Sequence, residues 1–132
     1  MAETASLKGK KVLIVEDDTF LHTLLADKLS QLREQGMEIF TALNADEALT
    51  IAKTSIPDLI MLDVAMPGKN GFELLGELRQ DDRFKKTPII ILSNLSQEED
   101  KKRAQDLGVN SYLVKADFSL DEISSEITRL IS

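Results

Sequence analysis

The sequence predicts an α/β fold of the (βα)5 type, a three-layer sandwich with a parallel sheet between two layers of helices. Three observations predict it. Five short β-rich runs alternate with five longer segments of helical period. No long loop separates them, so the crossovers are right-handed and the strands parallel. Three of the runs are apolar throughout and two are mixed, the pattern of central strands covered on both faces and of edge strands covered less.

Strand β1 is KVLIV (11–15). Helix α1 is expected over 19–35, because Leu21, Leu24, Leu25, Leu29 and Leu32 share one face and Gly36 supplies a C′ stop. EIFTA (38–42) is β2, and α2 follows over 45–54, opened by Asn44 and Glu47 at capping-box spacing. DLIMLD (58–63) is β3, with α3 over 71–80. PIIILS (88–93) is β4, and α4 over 97–107 opens with Ser96 and Glu99. SYLVK (111–115) is β5, and α5 over 120–131 opens with Ser119 and Glu122. With β1, β3 and β4 inside, the sheet takes the flavodoxin-like order 2-1-3-4-5. Residues 10–132 then form one domain, after a small, polar, mobile lead-in at 1–9.

Composition limits the function. At 132 residues, 42% hydrophobic and 30% charged, the chain can bury a core without staples. It has no cysteine, which excludes disulfides and thiol chemistry and suits a reducing cytoplasm. No apolar run approaches the roughly 20 residues that span a bilayer, and the first residues lack the apolar segment of a secretory signal. A net charge of −7 argues against direct nucleic-acid binding. The basic Lys101–Arg103 run follows an acidic one and reads as a solvated helix face. The length leaves no room for a separate DNA-binding domain.

In such sheets the ligand site lies beyond the carboxyl ends of the strands, at the switch between β1 and β3. There β1 runs into Glu16, Asp17 and Asp18, β3 ends on Asp63, β4 on Ser93 and β5 on Lys115. Two carboxylates about 4 Å apart repel by roughly 4 kcal/mol at an effective dielectric near 20. Such a cluster needs a proton or a cation, and hard oxygen donors with room for water suit Mg²⁺. A carboxylate beside Mg²⁺ and a lysine is arranged to attack phosphorus and form an aspartyl phosphate. Ser93 would then hydrogen-bond the phosphoryl group and Lys115 pair its charge. Each residue also has a plainer role: an N-cap with helix-dipole acids for the acidic run, an Asx turn for Asp63, a strand end for Ser93, a solvated edge for Lys115. His22, the one histidine, reads as partly exposed helix surface.

VLIVEDD, PDLIMLDVAMPGKNGFELL, PIIILS and GVNSYLVK together closely resemble a response-regulator receiver domain, the phosphoacceptor half of bacterial two-component signalling. The spacings from Asp63 to Lys115 and from Ser93 to Tyr112 resemble the family's as well, and the likeness runs from Lys11 to Ile131. The resemblance implies that Asp63 is the phosphoacceptor and that Asp17, Asp18, Asp63 and the Ala65 carbonyl hold Mg²⁺. It makes Ser93 the switch hydroxyl, Lys115 the phosphate-pairing cation and Tyr112 the aromatic that changes rotamer. No further cofactor is implied. The sequence departs from the pattern at Ala116, where the family has a proline in a cis peptide, and at Asn94, where a small residue is usual. Ala65 and Leu95 flank the site without polar side chains, so neither can position a hydrolytic water, and slow self-dephosphorylation is expected.

The expected function is a stand-alone, cytoplasmic phospho-switch, not an enzyme with turnover on other substrates. A histidine kinase or phosphotransfer protein would dock on α1 around Phe20–Leu24 and pass phosphoryl to Asp63. The weakly anchored α4 would move, changing the α4–β5–α5 surface for a partner protein or a second copy. A small phosphohydrolase of the aspartyl-phosphate type is the enzymatic rival, but Val64 and Ala65 follow Asp63 where that chemistry wants a second aspartate. A flavin mononucleotide carrier wants a phosphate loop where EDDTF stands, and a degenerate receiver used only for binding would not need the intact rim.

Overall fold

The computed structural model describes residues 8–64, 71–93, 98–114 and 119–131. Five parallel strands, β1 (Lys11–Val15), β2 (Glu38–Ala42), β3 (Leu59–Leu62), β4 (Ile89–Ser93) and β5 (Ser111–Val114), lie in the order β2-β1-β3-β4-β5. This is the flavodoxin-like arrangement that strand polarity predicts. Central β1 pairs on both sides, Val12 opposite Ile39 and Leu59, Ile14 opposite Thr41 and Met61.

Alternation along the strands divides the core into two layers. Val12, Ile14, Met61, Ile90 and Leu92 face Leu25, Leu29 and Leu32 of α1 and Ile123, Ile127 and Ile131 of α5. Leu13, Val15, Ile60, Leu62 and Ile91 face α2, α3 and α4. On that side α2 (Ala45–Ser55) presents Ala45, Ala48 and Ala52, small enough to bring the helix close to the sheet. The bulk comes from Phe72, Leu75 and Leu78 of α3 (Gly71–Gln80) and from Phe84. On the other face, α5 (Leu120–Ile131) carries its isoleucines at helical spacing.

Several boundaries differ from expectation for physical reasons. Helix α1 is not continuous over 19–35: Thr19–Lys28 ends at Leu29 and a short segment, Ser30–Glu34, continues it. At the break the Ser30 hydroxyl donates to the Asp27 carbonyl at 2.7 Å, a side chain competing for a backbone acceptor. Gly36 follows with φ +97°, the left-handed stop expected of it. Asp58 and Pro88 fall outside their strands. The Asp58 carboxylate accepts from the Lys11 N–H at 2.8 Å, and the Pro88 carbonyl accepts from Ile60 N–H at 3.0 Å. Helix α4 is Glu98–Asp106, and the Ser96 cap lies outside the described residues. The Asn44 side chain accepts from Glu47 N–H at 2.8 Å, and Ser119 from Glu122 N–H at 3.2 Å, so those two caps form. Helix α2 ends on Ile56 in the left-handed region, φ 49° and ψ 73°, an uncommon place for a β-branched residue.

In a parallel α/β fold every helix starts at the carboxyl end of the sheet. Charge follows that polarity. The first turns hold Asp46 and Glu47 in α2, Glu73 in α3, Glu98, Glu99 and Asp100 in α4, and Asp121 and Glu122 in α5. The last turns hold Lys53, Arg79, Arg103 and Arg129, signs that suit the helix dipole at each end.

Candidate functional site

Among the described residues the only buried polar or charged side chains are Glu16, Asp63 and Ser93, at 1%, 4% and 0% exposure. All three lie at the carboxyl ends of central strands. Glu16 follows β1, and its N–H donates to the Ala42 carbonyl at 3.0 Å. Asp63 follows β3, its N–H donating to Val15 O at 3.0 Å, so the ladder carries it one step past the strand. Ser93 ends β4. Burying a carboxylate in an otherwise apolar sheet is costly unless partners compensate it, and this concentration at one rim marks the site.

Glu16, Asp17 and Asp63 each offer a carboxylate oxygen, and these oxygens lie within 4.8 Å of one another. Asp18 is not in the cluster. It is exposed, its carboxylate accepts from Leu21 N–H at 3.1 Å, and it caps α1. Its own N–H donates to Glu16 Oε2 at 3.0 Å, which helps fix that carboxylate. The acid that sits beside Asp17 is therefore Glu16, which is not in the ligand set implied by the resemblance. The signal was present: β1 stops at Val15, so the first two residues beyond it are Glu16 and Asp17, while Asp18 directly precedes a helix, as an N-cap does.

Tyr112, half-buried on β5, is hydrogen-bonded to Ser93. Burial, the Asp100 carboxylate on α4 and, more weakly, Asp63 raise its phenol above the ordinary value. Gly71, the first residue of α3, lies against the backbone that carries Asp63. A Cβ there would stand 2.3 Å from Val64 Cα and 2.5 Å from the Asp63 carbonyl oxygen. Only glycine lets α3 approach so closely. Lys115, Ala65, Asn94, Leu95 and Ala116 lie outside the described residues. His22 is half-buried, and its Nε2 is enclosed without a hydrogen-bond partner among the described residues. On the outer side of α1, Phe20 is 73% exposed and Leu24 37%.

The donor set is all carboxylate oxygen, partly buried and open at Asp17, which fits a hard divalent cation that keeps some of its water. A family model, that of the response regulator receiver domain, matches residues 12–128. The chain belongs to this family. Receiver domains are signalling domains that accept phosphoryl groups from histidine kinases and bind Mg²⁺ at an acidic pocket. This one is 36% identical over 125 residues to a probable transcriptional regulator, ycf27, of Cyanophora paradoxa, covering 95% of this chain and 49% of that one. It is 38% identical over 110 residues to a 14.6 kDa protein of Leptolyngbya boryana, covering 83% and 82%. The receiver thus spans about half the length of the regulators it matches but most of the small Leptolyngbya protein. Its fold superposes on the chemotaxis protein CheY4 of Vibrio cholerae with a TM-score of 0.81 at 30% identity, covering 92% and 98%. Among the described residues no helix is long and apolar enough to cross a membrane.

Proposed function

We propose that this receiver is a phospho-switch in which Asp63 accepts a phosphoryl group from a histidine kinase or a histidine phosphotransfer protein. The observation that carries the reading is the convergence of Glu16, Asp17 and Asp63 beside the buried Ser93. Glu16, Asp17 and Asp63 would hold Mg²⁺, with the Ala65 carbonyl as a further donor. When bound, the ion offsets the mutual repulsion of the carboxylates and the charge of the incoming phosphoryl group.

The step itself belongs to Asp63. One carboxylate oxygen attacks phosphorus in line, the bond from phosphorus to the donor imidazole breaks, and the imidazole leaves with that electron pair. Ser93 then turns its hydroxyl to the phosphoryl oxygens and Lys115 pairs their charge. Charge-assisted hydrogen bonds contribute roughly 1.5–3 kcal/mol each, so two or three approach the ~5.5 kcal/mol that takes a two-state equilibrium from 1:99 to 99:1. Once Ser93 leaves Tyr112, the tyrosine is free to change rotamer, and the α4–β5–α5 surface changes for a protein partner or a second copy. Exposed Phe20 and Leu24 supply an apolar docking face for the donor on α1. With Ala65 and Leu95 unable to orient water, the phosphorylated state is long-lived.

The test is incubation with Mg²⁺ and acetyl phosphate followed by intact-mass measurement. Wild type should gain one phosphoryl adduct and Asp63→Asn none. An adduct of equal yield in the variant would remove Asp63 from the role.

A further inference from the structure

Two connections, α2–β3 and α3–β4, lead into neighbouring central strands and face one another at the amino end of the sheet, opposite the rim. Between them lies a cleft of about 450 Å³, lined on one side by residues 56–58 and on the other by 82–83 and 85–88. That size lies within the roughly 300–1,000 Å³ of ligand sites.

Both walls are held in place. The Arg79 guanidinium, from the last turn of α3, donates through Nη1 to Phe84 O at 2.7 Å and to Thr87 O at 2.9 Å, which fixes the arch of the second wall. Asp58 is tied twice to the first residue of β1: its N–H donates to Lys11 O at 2.7 Å, and its carboxylate accepts from Lys11 N–H at 2.8 Å. Pro57 and Pro88 lock φ, one in each wall. A cleft fixed in this way orders little on binding, which favours affinity.

The lining joins two chemistries. Ile56, Pro57 and Pro88 are apolar. Ile56 is 43% exposed, and its backbone is left-handed at φ 49°, a conformation that glycine or asparagine takes at less cost. Strain of this kind clusters at ligand sites. Beside this apolar wall stand the exposed cations Arg83, Lys85 and Lys86. Arg83 is engaged by Asp81 through a two-pronged contact, Nε to Oδ1 at 3.1 Å and Nη2 to Oδ2 at 2.8 Å. Lys85 pairs with Asp82 at 2.8 Å, but that pair is exposed and such pairs are weak. Lys86 has no ion-pair partner among the described residues. Two lysines are thus available to a ligand, and the last-turn cations Lys53 and Arg79 lie at the same end of the molecule.

We propose that this cleft docks a short acidic segment of a partner protein, with one apolar side chain seated against Ile56 and flanking carboxylates met by Lys85 and Lys86. Charge complementarity selects the occupant, and the apolar wall fixes where along the segment it sits. The site is independent of the phospho-switch, since it lies at the end of the sheet away from Asp63.

NMR titration of the isotope-labelled full chain tests this. The probe is an acetylated, amidated peptide with one leucine between two pairs of glutamates, compared with the same peptide carrying glutamines instead. The glutamate peptide should shift the amides of Ile56, Asp58, Lys86 and Thr87 to saturation, and the glutamine peptide should bind about tenfold more weakly or not at all. Ile56→Asn keeps a residue that tolerates the left-handed backbone while removing the apolar anchor, and Lys86→Glu reverses one charge. Each should weaken the glutamate peptide about fivefold or more. Lys102→Glu makes the same change of net charge on exposed α4 surface and should leave binding within about twofold. If one of the two cleft variants does not fold, the other decides. Shifts spread over lysines outside the cleft, equal binding of the two peptides, or a folded cleft variant that binds as wild type does would each overturn the proposal. So would shifts of the same amides that grow with protein concentration alone, which assign the cleft to a second copy.

Discussion

Glu16 and Asp18 are both acids beside Asp17, yet one is buried in the rim cluster and the other caps a helix. The sequence does not separate them by residue type. The end of β1 does: the strand stops at Val15, as its apolar run predicts, so Glu16 is the first residue beyond it and Asp18 sits directly before α1, where an N-cap sits. The difference is measurable. A cation that binds the folded state at ten times its Kd adds about 1.4 kcal/mol by linkage, so millimolar Mg²⁺ should raise the melting temperature of wild type. Glu16→Gln should lose most of that rise and melt no lower than wild type without the ion, because one repelling charge is gone. Asp18→Asn should keep the rise in full, since asparagine also caps a helix. An equal loss in both variants would return Asp18 to the ligand set. Tyr112 offers a second reading of the rim, being the one tyrosine in a chain without tryptophan. Because burial makes the fold hold the phenol proton more tightly than the unfolded chain does, stability is unaffected below the ordinary value of 10.0 and falls as pH rises past it. Phenolate absorbance should therefore appear above pH 10.0 in the folded protein and shift back toward it in Asp100→Asn. An unshifted titration would mean that the ring is not enclosed beside Ser93.

At the scale of elements, strands and helices were legible wherever hydrophobic period and a local cap agreed. The Asn44 and Ser119 caps form as their spacing suggests, and α3 and α5 keep their expected limits. The break in α1 was not legible, since Leu25, Leu29 and Leu32 continue the apolar stripe through it and are all buried. A serine hydroxyl ends the hydrogen-bond run there, and Ser30 looks like any surface serine in sequence. Arg79 in the last turn of α3 was equally silent: its guanidinium donates to the carbonyls of Phe84, Thr87, Leu107 and Gly108, and every residue carries such an acceptor. At the end of α2, Ile56 combines a left-handed backbone with 43% exposure and directly precedes Pro57. A non-glycine residue in this region costs roughly 1–2 kcal/mol. Ile56→Gly should relieve that cost while losing little burial, against which stands the greater freedom of glycine in the unfolded chain. A gain of about 0.5–1 kcal/mol in chemical denaturation is expected. A loss of that size would show that the Ile56 side chain contributes more by packing than its backbone costs.

Over the whole molecule the five helices share one polarity: α2 to α5 gather acidic first turns around the rim, where α1 has only its Asp18 cap, and all five carry basic last turns at the opposite end. The protein is therefore a charge dipole as well as a net anion of −7. Such a body does not meet its partners in random orientations. A surface carrying lysines and arginines near its phosphohistidine would draw the rim toward itself before any contact forms, and would turn away an acidic one. This is a matter of encounter rate rather than of bond strength, and it fades as the Debye length shrinks from ~30 Å at 0.01 M salt to ~8 Å at 0.15 M. Phosphoryl transfer from a cognate protein donor should accordingly slow by about tenfold or more over that range, with little change in the rate from acetyl phosphate, which is too small to be oriented by a dipole. If the protein donor proves indifferent to salt, its choice of receiver rests on contact at Phe20 and Leu24 alone, and the polarity of the helices serves their own ends and nothing beyond them.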